Sequence, residues 1–264
     1  MEMEITTKIG CSNNCKYCCQ DKLLNVYEGK TMLSFEDFVK CIDKIPEKVI
    51  ISFSGFVEPF LNPECSKMIV YAFLKGHKIK LFTSLMGMSM QDLMLIKKIP
   101  FKNLTIHIPE NHNLTNIKVT EEYKKKLKLI EEFNNVDYVV LDGDVSKELN
   151  LDSINVRKVK SITRGESPEK NKGKLFCSNE LKHNVLLPNG DVVLCCMDYG
   201  LQHKLGNLLK DNYEDLFLGE EMIKVTGGLL NEDSEILCRY CVSAKKKTFF
   251  NKLINKVRRK RRGE

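Results

Sequence analysis

The sequence predicts an α/β fold, a parallel sheet with helices packed outside it. Two observations carry this. Strand-like and helix-like stretches alternate from the N-terminus to about residue 163, and several of the helix-like stretches open on a capping residue. The strand-like runs are short and mostly apolar, as strands covered by helices are. At 264 residues the chain can bury one large core, or a domain of about 200 residues with a small appendage.

In order, residues 3–9 read as the first strand. Ser34, with Asp37 three residues on, opens a helix through Ile45 whose apolar positions include Phe35, Phe38, Val39 and Ile42. Val49–Phe53 is the second strand, suited to burial on both faces. Asn62 and Pro63 mark the next helix start and Gly76 its end. Lys78–Thr83 is the third strand, and Ser89 with Asp92 opens a helix to Ile99. Asn103–Ile108 is the fourth strand, Thr120 starts a helix to about Phe133, and Val136–Leu141 is the fifth strand. A weaker sixth candidate is Asn155–Thr163. Six strand–helix units are too few to close an eightfold barrel.

Composition narrows the class. Hydrophobic residues at 42% and charged residues at 29% describe an ordinary globular protein. The acidic N-terminus lacks a signal pattern and no apolar run nears the roughly 18 residues of a membrane span, so a cytoplasmic protein is expected. Eleven cysteines in such a compartment point to metal or cluster binding and away from disulfides. The net charge of +7 is uneven. Residues 245–264 carry ten Lys or Arg against one Glu, while the body is near neutral.

The loop after the first strand reads Cys11-Ser-Asn-Asn-Cys15-Lys-Tyr17-Cys18. Three thiolates so spaced can hold three corners of a [4Fe–4S] cube and leave one iron open. A zinc site is the plain alternative. The spacing, with an aromatic before the third cysteine, resembles the signature of the radical S-adenosylmethionine (SAM) superfamily. Further stretches carry the resemblance. Ser54-Gly55-Phe-Val57-Glu58-Pro59 is similar to that family's Gly-Gly-Glu-Pro stretch, departing from it at Val57. Thr83-Ser84 resembles the polar strand end that lines the SAM pocket, and Arg164-Gly165 resembles its Arg-Gly pair. The resemblance implies a partial (β/α)6 TIM-like barrel and a cluster on Cys11, Cys15 and Cys18 with SAM at the open iron. It also implies SAM contacts from Tyr17, Gly55, Glu58, Pro59, Thr83, Ser84 and Arg164. One electron into bound SAM would release a 5′-deoxyadenosyl radical that abstracts a substrate hydrogen, the electron coming from a donor such as flavodoxin or ferredoxin. Cys19, Cys41 and Cys65 read as buried thiols.

A second set follows a polar stretch at 164–176. Cys177, Gly190, Cys195 and Cys238-Arg-Tyr-Cys241 are arranged so that a hairpin over Leu186–Leu194, turning at Asn189-Gly190, returns Cys195 toward Cys177. A four-thiolate zinc site fits the same spacing. The pattern resembles the SPASM extension of radical SAM enzymes in its shortened, twitch form. That implies one auxiliary [4Fe–4S] cluster on Cys177, Cys195, Cys238 and Cys241, with Cys196 pointing the other way if that stretch is extended. Three regions are expected: a barrel over 1–163, a linker and auxiliary-cluster domain over 164–242, and a basic tail over 243–264.

His107, ending the fourth strand, and Asp142, after the fifth, are the candidate catalytic groups, with His107 as a base. His77, His112, His183 and His203 carry no motif. Length and cysteine layout resemble dehydrogenases of this superfamily and point to a carbohydrate or polyol substrate. A peptide maturase is the alternative, weakened because only ten residues precede Cys11. Phe249, Phe250, Leu253, Ile254 and Val257 share one helical face among basic residues, the pattern of a helix lying on an anionic membrane surface, here the inner face. A metal protein using that tail on nucleic acid is disfavoured by the near-neutral body.

Overall fold

The structure, a computed structural model, describes residues 1–149, 154–160 and 169–247. Arg164, the end of the sixth strand candidate and the tail beyond Lys247 lie outside these residues. The elements follow the alternation expected from sequence: β1 (Glu2–Ile5), α1 (Gln20–Val26), α2 (Phe35–Ile42), β2 (Ile50–Phe53), α3 (Cys65–Leu74), β3 (Ile79–Thr83), α4 (Met90–Ile96), β4 (Asn103–His107), α5 (Glu121–Ile130), β5 (Val136–Leu141) and β6 (Val156–Val159). β1 to β6 pair in sequence order, all parallel. After them come β7 (Leu175–Cys177), β8 (His183–Leu186), β9 (Asp191–Val193), β10 (Lys204–Asn207), α6 (Glu220–Leu230) and β11 (Ala244–Lys246).

The caps account for where helices begin. Ser34 accepts from the backbone N–H of Asp37, and Thr120 from that of Tyr123 at 3.1 Å. Ser89 and Asp92 form a complete capping box. Asn62 leads into the helix as expected, its Oδ1 accepting from the Glu64 N–H at 2.9 Å, and it does a second job. Its amide donates to the carbonyls of Thr7 and Leu33, tying two loops together before α3 begins at Cys65.

β1 is shorter than the 3–9 run because Thr6 and Thr7 leave the sheet to fasten the loop after β2. Thr6 Oγ1 accepts from Phe56 N–H and Thr7 Oγ1 donates to the Pro59 carbonyl. Gly55 sits against Thr6 in the left-handed region at φ +56°, where a Cβ would come within 2.3 Å of Thr6 Oγ1.

The parallel sheet has two unlike faces. Met3, Ile5, Ile51, Phe53, Ile79, Leu81, Leu104 and Ile106 are buried outward in one core with Phe38, Met68, Leu93 and Leu127 of the helices. The alternate positions, among them Glu2, Glu4, Lys80, Asn103, Thr105 and His107, face inward onto a cavity. β2 is buried on both faces as expected, with the polar Ser52 on the inner side between Ile51 and Phe53.

The C-terminal hairpin extends this sheet. β8 pairs in parallel with β1, matching Glu2 with His183 and Ile5 with Leu186, so the nine strands run β10-β9-β8-β1-β2-β3-β4-β5-β6. The turn forms where Asn189-Gly190 predicts it, with Gly190 at φ +87° and its N–H donating to the Leu187 carbonyl. β7 and β11 form a separate two-stranded ladder that sets Ala244 opposite Cys177. No helix among the described residues is long and apolar enough to cross a membrane.

Candidate functional site

A cavity of about 680 Å³ opens at the C-terminal ends of the parallel strands, the position where α/β folds place their sites. Cys11, Cys15 and Cys18 line one end of it. The loop bearing them is held by a strap over residues 109–117. Lys16 N–H donates to the Leu114 carbonyl and Asn116 N–H to the Asn13 carbonyl, each at 2.8 Å. Glu110, buried, braces the strap by accepting from the backbone N–H groups of His112, Leu114 and Thr115.

All three thiols are half-buried. Burial pushes the Cys11 thiol up, and pushes Cys15 up to about 11 against a hydrogen bond with Tyr17. Burial is also the main cause of the raised pKa of Tyr17. Thiols held close in a setting that disfavours their anions are suited to being discharged by a cation. Among the described residues, no three His, Cys, Asp or Glu side chains are drawn together as ligands of one metal ion. An iron–sulfur cube asks for a wider spread, because each thiolate reaches its own iron.

Of the residues expected to contact SAM, Tyr17, Gly55, Glu58, Thr83 and Ser84 line this same cavity. Glu58 is buried, and burial raises its pKa. It is satisfied by Thr83 Oγ1, Ser84 Oγ and Ser84 N–H, each donating at 2.6 Å. The carboxylate therefore knots the loop after β2 to the end of β3. Pro59 is buried and starts a 3₁₀ turn behind the lining, its carbonyl taken by Thr7. Two polar atoms at the thiol end, Asn13 Oδ1 and Gln20 Oε1, are buried without a hydrogen-bond partner. They offer acceptors to a polar group bound beside the cysteines, so the residues present fit a cofactor that carries an ammonium and hydroxyls.

His107 lines the cavity as expected. Asp142 does not, which corrects the expectation that both residues face the site. Asp137, Val139 and Leu141 of β5 face inward, so the next residue has the opposite parity, and φ of +54° turns Asp142 out to an exposed position.

The opposite end of the cavity was not read from the sequence. Glu2 pairs with Lys80 at 2.6 Å, and Arg157 pairs with Asp137. Ser54 donates to Glu4 at 3.1 Å. His183 completes this end, with its pKa lowered by burial and therefore uncharged at neutral pH. The available signal was the alternation of polar with apolar residues in β1, β3 and β5. The C-terminal region adds Cys196 and Tyr199 to the same lining.

The second set of cysteines gathers elsewhere. Cys195 and Cys241 pack with Met197, Leu237 and Ala244 in a small apolar cluster, away from the cavity. Burial raises Cys195 well above its ordinary value and Cys238 to about 12, the latter reinforced by the neighbouring Cys177 and Cys241. The two adjacent cysteines part here: Cys195 joins this set, while Cys196 lines the cavity and packs against the cluster of Leu23, Phe56 and Tyr199 that Cys18 and Cys19 also border. Arg239, fully buried between Cys238 and Cys241, donates to the carbonyls of Asn171, Gly173, Gly228 and Leu229. It thus pins the Cys-x-x-Cys turn to the C-terminal end of α6.

Residues 177–242 match the family model described as SPASM, an iron–sulfur cluster-binding domain. This region is a SPASM domain. No curated protein matches the chain. Among solved structures, the chain is similar to BtrN in complex with AdoMet and 2-DOIA, with a TM-score of 0.59, 13% identity and 86% of each chain covered. It is similar to anSMEcpe with bound AdoMet, with a TM-score of 0.64 and 12% identity over 91% of this chain and 86% of that one. It is also similar to Streptococcus suis SuiB bound to precursor peptide SuiA, with a TM-score of 0.61 and 11% identity over 86% of this chain and 66% of SuiB. At these identities the likeness is one of fold. With the SPASM domain in place, the fold is that of radical SAM proteins with an auxiliary-cluster extension.

Proposed function

We propose that the chain is a radical SAM oxidoreductase acting on a small polar substrate of the carbohydrate or polyol class, with the SPASM domain's cluster as electron acceptor. One observation carries the reading: three thiols at one end and a layer of charged and hydroxyl side chains at the other share a single cavity. Cys11, Cys15 and Cys18 would hold a [4Fe–4S] cluster with SAM, and Cys177, Cys195, Cys238 and Cys241 an auxiliary one. When bound, the first cluster and SAM supply a carbon radical able to take hydrogen from an unactivated C–H bond.

The chain's own residues supply the rest. Asn13 and Gln20 accept hydrogen bonds from the cofactor, and Glu58 fixes the Thr83–Ser84 edge against which it lies. Glu2, Glu4, Lys80, Asp137 and Arg157 present charges to substrate hydroxyls and exclude apolar chains of similar size. His107, at the C-terminal end of β4, is placed to take a hydroxyl proton as the substrate is oxidised. An electron donor such as flavodoxin or ferredoxin completes the system.

A second reading is favoured by the fold likeness to anSMEcpe and SuiB structures that contain bound peptides: a maturase of a ribosomally made peptide. Iron and acid-labile sulfide are measured first, after anaerobic preparation. About eight irons per chain are expected, falling to about four in the triple variant C11A/C15A/C18A. Zinc without sulfide overturns the reading. Reduced enzyme with SAM and a panel of sugars, polyols and short peptides then separates the substrate classes by which one releases 5′-deoxyadenosine stoichiometrically.

A further inference from the structure

We infer that Tyr199, a residue of the SPASM domain, tunes the cluster of the barrel by donating a hydrogen bond to the Cys18 sulfur. The inference rests on the reading above that Cys11, Cys15 and Cys18 hold a cluster. The Tyr199 hydroxyl lies 3.7 Å from Cys18 Sγ, and in the free thiol either atom can donate. A cluster removes that ambiguity. A ligating sulfur is a thiolate, which only accepts, so the phenol must be the donor.

The hydroxyl is held there by burial, by ring packing and by a fixed backbone turn. Tyr199 is 2% exposed, and its ring lies 4.4 Å from that of Phe56 at an interplanar angle of 51°. Phe56 is itself fixed, its N–H donating to Thr6 Oγ1 and its carbonyl accepting from Gln20. The backbone leading to Tyr199 is folded by Asp198, whose N–H donates to the Cys195 carbonyl at 3.0 Å. The Asp198 carboxylate accepts from the N–H groups of Gln202 and His203 at 2.8 Å. A five-residue stretch therefore has Cys195 in the second cysteine set and Tyr199 against the first.

The consequence is electrostatic. Reduction adds negative charge to the cluster and its sulfurs, and a donor aimed at one sulfur favours the reduced form. The barrel cluster is thus easier to reduce when the SPASM domain is seated. Tyr199 is a positioning and tuning residue, with no part in bond-making.

The test compares full-length wild type with Y199F, which removes one oxygen and keeps the ring. Y213F serves as a control, because Tyr213 is a buried tyrosine of the same region whose hydroxyl bonds to Met1. Reductive titration is followed by electron paramagnetic resonance, and the barrel cluster's signal is the one missing from C11A/C15A/C18A. Y199F is expected to keep its full iron content and to show about tenfold poorer reduction of the barrel cluster at equal poise. For a one-electron couple this is about 59 mV more negative. The auxiliary signal stays unmoved, and Y213F behaves as wild type. An unchanged barrel potential, an equal shift of both clusters, or loss of iron from the barrel site would overturn the inference. Absence of any signal dependent on Cys11, Cys15 and Cys18 in wild type would instead defeat the underlying reading.

Discussion

The two cysteine sets are built to opposite plans. The first lies on a loop between β1 and α1, half-buried, with its thiols at one end of the cavity. The second is assembled from β7, the end of the hairpin and a 3₁₀ turn, with Cys238 and Cys241 buried and an apolar cluster around it. Three ligands facing a cavity leave a position for chemistry. Four thiolates on one cube would leave no iron open, and here Cys195 and Cys241 pack among Met197, Leu237 and Ala244. The junction between the plans is the pair Cys195–Cys196, at the start of the turn closed by the Asp198 N–H on the Cys195 carbonyl, with Cys195 in the apolar cluster and Cys196 on the cavity lining.

This contrast can be broken at graded points. The largest effect is expected from C11A/C15A/C18A, which abolishes SAM cleavage and leaves the auxiliary cluster intact, as followed by 5′-deoxyadenosine release and iron content. Next is the pair C195A and C196A. C195A should lose about four irons from the auxiliary set, whereas C196A keeps about eight. Equal iron loss in both would show that the two thiols exchange roles. R239M removes the cation that pins the Cys238–Cys241 turn and strands the buried carbonyls of Gly228 and Leu229 and the half-buried ones of Asn171 and Gly173. It should destabilise the SPASM domain by about 3 kcal/mol and release auxiliary iron first, measured by thermal unfolding and iron retention.

G55A probes the barrel side. A Cβ there meets Thr6 in a backbone conformation that disfavours it, and a loss of about 2 kcal/mol with weakened SAM binding is expected, checked by unfolding and equilibrium dialysis. The smallest effect is S89A, which removes a capping box on α4, remote from both sites. About 1 kcal/mol of stability should go with both clusters and SAM cleavage unchanged.

The barrel half was legible in sequence because its signals are local. Ser34, Ser89 and Thr120 announce their helices through bonds to residues three positions on, and Asn189-Gly190 announces its turn. What escaped depends on partners distant in sequence. α1 begins at Gln20, after Cys19, whose side chain makes no cap bond, so nothing marks its start. α6 contains Gly227-Gly228, which argues against a helix until packing is known. A Cβ on Gly228 would meet Ser234 and Ile236 within 3 Å.

The parallel pairing of β8 with β1 joins residues about 180 apart, and no local pattern encodes it. It is this pairing that brings His183, Cys196 and Tyr199 to the cavity. The polar inner face was within reach, because Glu2, Glu4, Lys80 and Asp137 alternate with apolar neighbours.

The most direct test of the open-versus-closed contrast is to record the electron paramagnetic resonance of each cluster alone, with and without SAM. C195A leaves the barrel cluster and C11A/C15A/C18A leaves the auxiliary one. On that contrast, SAM changes the signal in C195A and leaves that of the triple variant untouched. A signal indifferent to SAM in C195A, or one that responds in the triple variant, would contradict it.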